Sequence, residues 1–304
     1  MGNAVSRSES ARELFAVRLL FVRRHSACYR GISLNICREV FTYVPIDQIY
    51  LATVKSDRLF VYNLRTNTVK VTSEFLFLDL TGTGLTMLSN EAMLIVGGTP
   101  SGSRARKLNI WTGRLEEEAR LQEGRAWPGV YLHKDWVWVF GGNVGETLDS
   151  VECFSLVRRS WRTGPRMLSP KVCFTPCEHR GFIYLPEVSP HKKLLEVLDP
   201  VAERYHLLQL ELSGARLGSV SFFVGSDLVV IDYNRKVGSW RVGSKARQLS
   251  EIYISEGRDK TCFTNFSPVR WGKTVFWLDA DFNVTKADLK KRRIDTYNVS
   301  KAAD

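Results

Sequence analysis

One pattern recurs along this chain about every 45 residues and limits what it can fold into: strand, turn, second strand ending in small residues, third strand, polar turn, large apolar residue. The clearest copy runs from 127 to 167. There GVYLH, WVWVFGG, SVECFSL and SWRTG read as four short strands, with Gly141 and Gly142 closing the second and Val157, Arg158 and Arg159 turning the third into the fourth. The third strand, its turn and the apolar residue after it line up along the chain, ending at Val69, Leu115, Trp161, Tyr205, Trp240 and Ile294. Successive spacings are 46, 46, 44, 35 and 54, which predicts a compact fifth unit and a long insertion before the sixth. Each unit alone would expose an apolar face, so the units must stack, and free sheet edges disappear only if the stack closes on itself.

The second-strand endings MLIVGG (Gly97, Gly98) and VWVFGG (Gly141, Gly142) lie 44 residues apart, and VECFSLVRRSW and VLDPVAERY follow the same plan as each other. These segments resemble the kelch family, across roughly residues 46 to 299. The resemblance implies an all-β propeller of about six four-stranded blades, with the diglycine turning out of a crowded inner strand where a Cβ would clash. It also implies that Trp161, Tyr205 and Trp240 fill the wedge between adjacent sheets. Blades one, four, five and six carry IYLAT, FIYLP, LVVID and VFWLD in place of a diglycine ending. A WD40 propeller is the structural rival, but its Gly-His and Trp-Asp signature is absent. Blade one shows only about three strands, so residues between Ser26 and Val44, or the C-terminus, are expected to close the ring.

Residues 1 to 45 differ in texture and form a separate N-terminal extension ahead of the propeller at 46 to 304. Leu14, Val17, Leu20 and Phe21 recur at helical spacing, and Ser33 could cap a second helix, SLNICREVFTYV. The string ICREVFTYVPI faintly resembles the opening of an F-box, which would imply a substrate-recognition subunit of a ubiquitin ligase. Met1-Gly2-Asn3-Ala4-Val5-Ser6 fits the N-myristoylation pattern, making Gly2 the lipidation residue. A single myristoyl chain holds a membrane only marginally, and the net charge of +4 over residues 1 to 30 offers a second, electrostatic contact. No apolar run approaches the length of a membrane-spanning helix, and no export signal is evident. The chain is therefore expected in the cytoplasm, associated with membrane if Gly2 is acylated.

The formal charge of the 304 residues is +11. Equivalent turns of every blade should emerge on one face, so the repeat alignment maps that charge. The turn from third to fourth strand collects Arg65, Arg114, Arg158, Arg159, Arg204, Arg235, Lys236, Lys290, Lys291, Arg292 and Arg293, opposed only by Glu203. Such a basic face suits an acidic or phosphorylated protein partner or an anionic membrane surface. No nucleic-acid reading motif accompanies the charge. The sequence leaves the oligomeric state open.

Signals for catalysis are missing. His25, His133, His179, His191 and His206 fall on different repeats without metal-ligand spacing, and Cys173, Cys177 and His179 lack a second ligand pair. The six cysteines show no disulfide framework and read as reduced thiols. No P-loop, nucleophile elbow or dinucleotide fingerprint occurs. The expectation is a non-enzymatic scaffold without cofactor or metal that binds a protein partner through loops and a basic face. A propeller enzyme remains the further alternative.

Overall fold

The computed structural model describes residues 50–55, 58–63, 68–71, 82–89, 91–99, 102–186, 194–209, 219–224, 226–232, 236–242, 247–253, 269–271, 274–278, 283–288 and 293–298. All regular structure among them is β. The first sheet has three strands, β1 (Tyr50–Lys55), β2 (Arg58–Asn63) and β3 (Thr68–Val71). A four-stranded antiparallel meander follows: β4 (Thr83–Met87), β5 (Ala92–Gly97), β6 (Ala105–Asn109) and β7 (Leu115–Glu117). In the next sheet, β8 (Gly129–His133) and β9 (Trp136–Phe140) are separated by a small hairpin, β10 (Asn143–Val144) and β11 (Glu146–Thr147), from β12 (Val151–Ser155) and β13 (Ser160–Thr163).

The meander then repeats three times. It runs through β14 (Cys177–His179), β15 (Phe182–Leu185), β16 (Leu194–Asp199) and β17 (Arg204–Gln209), then β18 (Ser219–Val224), β19 (Asp227–Asp232), β20 (Lys236–Arg241) and β21 (Arg247–Tyr253). The last sheet is β22 (Val269–Trp271), β23 (Thr274–Leu278), β24 (Asn283–Asp288) and β25 (Arg293–Asn298). The fold is all-β and propeller-like, as expected, but six four-stranded blades are not what the described residues show. Packing is described for four consecutive blades, from Thr83 to Tyr253, which we call A to D in chain order. The expected N-terminal helices and both candidate closing segments lie outside the described residues.

Why WVWVF reads as an unbroken apolar run is visible in its packing. A strand inside a blade is covered on both faces by the neighbouring blades, so alternate residues enter different cores. Val137 and Val139 pack with Leu94, Val96 and Phe154 in the wedge between blades A and B. Trp138 and Phe140 pack instead with Ile183 and Leu185 in the wedge between B and C. A third wedge, between C and D, gathers Tyr184, Val197, Phe223 and Trp240.

The diglycines are shaped by the next blade. Gly97 and Gly98 have φ of 73° and 97°, and Gly141 and Gly142 of 55° and 104°, the left-handed region where a side chain is strained. A Cβ on Gly97 would lie 2.2 Å from the Arg125 carbonyl oxygen, and one on Gly141 would lie 2.3 Å from that of Lys171. The second glycine uses the same carbonyl: Gly98 N–H donates to Arg125 at 2.9 Å, and Gly142 N–H to Lys171 at 2.9 Å. The expected clash is therefore real, and its partner is the segment entering the following blade.

Two aromatics of the fourth strands are tied to the preceding blade. Trp161 Nε1 donates to the Ala119 carbonyl at 2.6 Å, and the Tyr205 hydroxyl to that of Pro165 at 3.0 Å. Both acceptors lie just past the fourth strand of the preceding blade, 46 residues apart. Trp240 fills the wedge between C and D but departs from the expected register, because it lies on β20, a third strand, and pairs with Leu228 of β19 and Gln248 of β21. IDYNRKVGSW imitates a strand, a basic turn and an aromatic, yet its Ile231 and Asp232 end a second strand. With this register the second residue of each fourth strand is Trp161, Tyr205, Gln248 and Ile294, at spacings of 44, 43 and 46. The compact blade and long insertion disappear.

Candidate interaction surfaces

In a four-stranded meander the first and third turns leave at one edge and the second at the other. The basic-face expectation concerns the third turns. Blade B shows how they are built: Ser155 Oγ accepts the Arg158 N–H at 3.1 Å, and Arg159 takes a φ of 53°. In blade A, Asn109 Oδ1 accepts from Trp111 and Thr112, both at 2.9 Å, before Gly113 at φ 71°. In blade C, Asp199 Oδ1 accepts from Val201 at 2.9 Å and Ala202 at 3.0 Å, before Glu203 at φ 53°. These two N–H bonds hold the Asp199 carboxyl below its ordinary range. Each turn is thus fixed by a side chain at the end of the third strand.

Arg114, Arg158, Arg159 and Arg204 are exposed at these turns. Not all are unopposed. Arg159 grips Glu118 with contacts of 2.9 and 3.1 Å, and Arg114 Nε lies 3.3 Å from Glu116. Arg162 on β13 ion-pairs with Glu203 while lying over the Trp136 ring, 4.7 Å from its centroid. Glu116 lies two residues past Arg114, while Glu118, just past β7 of blade A, reaches Arg159 of the following blade, 41 residues on. Lys236 opens β20, the third strand of blade D, and so stands at the edge opposite the third turns. Arg235, Arg65, Lys290, Lys291 and Arg292 lie outside the described residues, as does Gly2, and Arg293 opens β25.

The opposite edge carries the diglycines and a polar network the sequence reading missed. Arg125, wholly buried, precedes β8 and donates from Nη2 to Glu152 Oε1 at 2.7 Å, and from Nη1 to the Gly141 and Ser150 carbonyls at 3.0 and 3.1 Å. Glu152 also accepts the Gln122 and Glu123 N–H groups at 2.7 and 3.0 Å. One blade on, buried Lys171 lies 2.8 Å from Glu196 Oε1, whose carboxylate accepts from Leu168 N–H and the Ser169 hydroxyl at 2.9 and 2.6 Å. A signal did exist: the cations are 46 residues apart and the carboxylates 44. Single charged residues in a charge-rich sequence do not announce burial. Beyond this network the edge exposes Trp127, Val144 on the β10–β11 hairpin, and Leu168.

The thiols are poor nucleophiles. Burial pushes Cys153 and Cys177 up to about 12, and both are free. His133 Nδ1 lies 2.8 Å from Glu178 Oε2, tying the first strands of blades B and C, while His179 stacks on Phe223 with centroids 4.5 Å apart. Among the described residues, no group of three or more His, Cys, Asp or Glu could hold a metal ion. Among the same residues, no helix is long and apolar enough to cross a membrane.

Comparison with known proteins agrees with this architecture. The model for the Kelch motif matches residues 136–168, spanning β9, β12 and β13. No curated protein matches the chain. The solved structure of YjhT is similar, with a TM-score of 0.52 and 11% sequence identity over 66% of this chain and 72% of that one. A Kelch motif lying on one blade, within a run of blades similar to that solved fold, supports reading the chain as a kelch-repeat β-propeller.

Proposed function

We propose that this protein is a non-catalytic interaction platform that holds a protein partner on its loops and is tethered to membrane through myristoylated Gly2. The observation that carries the reading is the contrast between a rigid, doubly buried scaffold and side chains displayed at its edges, with Trp127, Val144 and Leu168 exposed at one and cations at the other. The basic face would comprise Arg65, Arg114, Arg158, Arg159, Arg204 and the Lys290 to Arg293 run, facing an acidic partner or an anionic surface in the cytoplasm.

Proximity labelling with the full chain tests the platform. Reproducible capture of specific proteins, lost when Trp127 and Val144 are both changed to Asp, supports it; an identical set from the double variant overturns it. Metabolic labelling with a myristate analogue tests the tether: wild type should be tagged and Gly2→Ala should not.

A further inference from the structure

The first and third turns of blades A to C carry a second regularity besides charge. At equivalent places in the third turns stand Trp111, Val157 and Val201, each two residues before the left-handed position. Val157 is 79% exposed and Val201 78%, the highest among the described large hydrophobics. Phe182, 36% exposed, joins them at the first turn of blade C. Side-chain caps fix these turns, Asn109 accepting the Trp111 N–H, Ser155 the Arg158 N–H and Asp199 the Val201 N–H, and Trp111 is half-buried where the two valines are exposed.

Cations alternate with these tips. Lys134, Arg158, Arg180 and Arg204 are exposed at the same edge and form no ion pair with a described residue. Against them stand the exposed Glu91 and Asp135, while Glu203 is taken up by Arg162. A protein hot spot gathers apolar anchors into one desolvated pocket and keeps charge to the rim. Here the apolar tips are spread over the turns of blades A, B and C, with cations among them, a layout unlike a single central pocket. A flat, negatively charged interface with an apolar layer beneath can meet all of them at once.

We propose that this turn edge docks on an anionic lipid surface, the arginines and Lys134 engaging headgroups while Trp111, Val157, Phe182 and Val201 enter the interfacial layer. The inference rests on the membrane-associated reading above and names the partner of the basic turns. It also leaves the diglycine edge, with Trp127 and Val144, free to hold a protein. A myristoyl chain alone binds marginally, and this edge supplies the second contact that stable attachment requires.

The test uses the full chain carrying Gly2→Ala, so that no acyl chain contributes, in co-sedimentation with vesicles of phosphatidylcholine alone or with 30% phosphatidylserine, a composition chosen to approximate an anionic leaflet, on the order of what such surfaces hold. Binding is expected only with phosphatidylserine, weakening with salt. R158Q/R180Q/R204Q should bind at least about tenfold less, because each charge near such a surface accounts for roughly a fivefold factor. V157N/V201N should also bind several-fold less at unchanged net charge, and thermal melting should show both variants folded. Equal binding by wild type and variants, or no preference for the anionic vesicles, overturns the proposal. So does capture of an acidic peptide by this edge in place of vesicles. Loss of vesicle binding with retained proximity-labelling partners sinks the lipid inference and leaves the platform reading standing.

Discussion

Arg125 and Glu152 form a buried ion pair at 2.7 Å that fastens the entry of blade B to its third strand, and Lys171 and Glu196 repeat it at 2.8 Å in blade C. The cation of each pair also presents the carbonyl onto which the preceding diglycine closes. One residue thereby joins two blades through its backbone and its own blade through its side chain.

Removing one partner of such a pair strands the other in a dry site. Glu152→Gln should lower unfolding free energy by about 3 kcal/mol or more, and Arg125→Ala by more still, because two carbonyls lose their donor as well. The double change R125M/E152L should recover much of the loss. Denaturant unfolding of the purified chain measures all three.

The diglycine argument predicts a graded response. Gly141→Ala meets backbone at 2.3 Å and should cost about 3 kcal/mol or prevent folding, since neither neighbour can yield. Gly145→Ala, at φ 81° on the hairpin tip with nothing within 4 Å, should cost only about 1 kcal/mol. Comparable melting temperatures for the two variants would contradict the assigned role.

Tyr205→Phe should cost about 1 kcal/mol through loss of the bond to Pro165, with the ring still seated between blades B and C. Tyr205→Ala should cost about 3 kcal/mol by opening that wedge. Thermal denaturation separates the hydroxyl from the ring.

Cys153 and Cys177, held up to about 12 by burial, should be almost entirely protonated at pH 8, with roughly one thiolate in ten thousand. Alkylation of the native protein should spare both, and unfolding should expose both. Rapid native labelling at either position would show that its wedge opens.

Asp199 carries a pH dependence of known sign. Its folded carboxyl is held below the ordinary value by the Ala202 and Val201 N–H groups, so the turn-fixing contribution is complete above the unfolded value and is lost as pH falls through the folded one. The Val201 and Ala202 amide NMR shifts should stay constant from neutral pH down through the ordinary carboxylate range. They should move only below it, and Asp199→Ala should abolish that step.

Much was legible in the chain because repeats announce themselves. The strands of the blade from 127 to 167, the diglycines and the wedge roles of Trp161 and Tyr205 follow from local pattern, since alternation, small residues and turn chemistry act between neighbours in sequence. Trp240 shows where local pattern misleads: IDYNRKVGSW has the composition of a third turn, and only pairing with Leu228 and Gln248 assigns it to a third strand. That pairing also moved Lys236 to the other edge. The Glu118 grip on Arg159 spans 41 residues, and the Arg125 and Lys171 pairs span 27 and 25. Sequence by itself determined the repeating unit and the strands of the clearest blade, because those depend on periodicity along one chain. Only the tertiary structure decided which charges are buried, which are neutralised and which apolar tips stand exposed, because burial and pairing depend on the neighbouring blade, a repeat away in sequence.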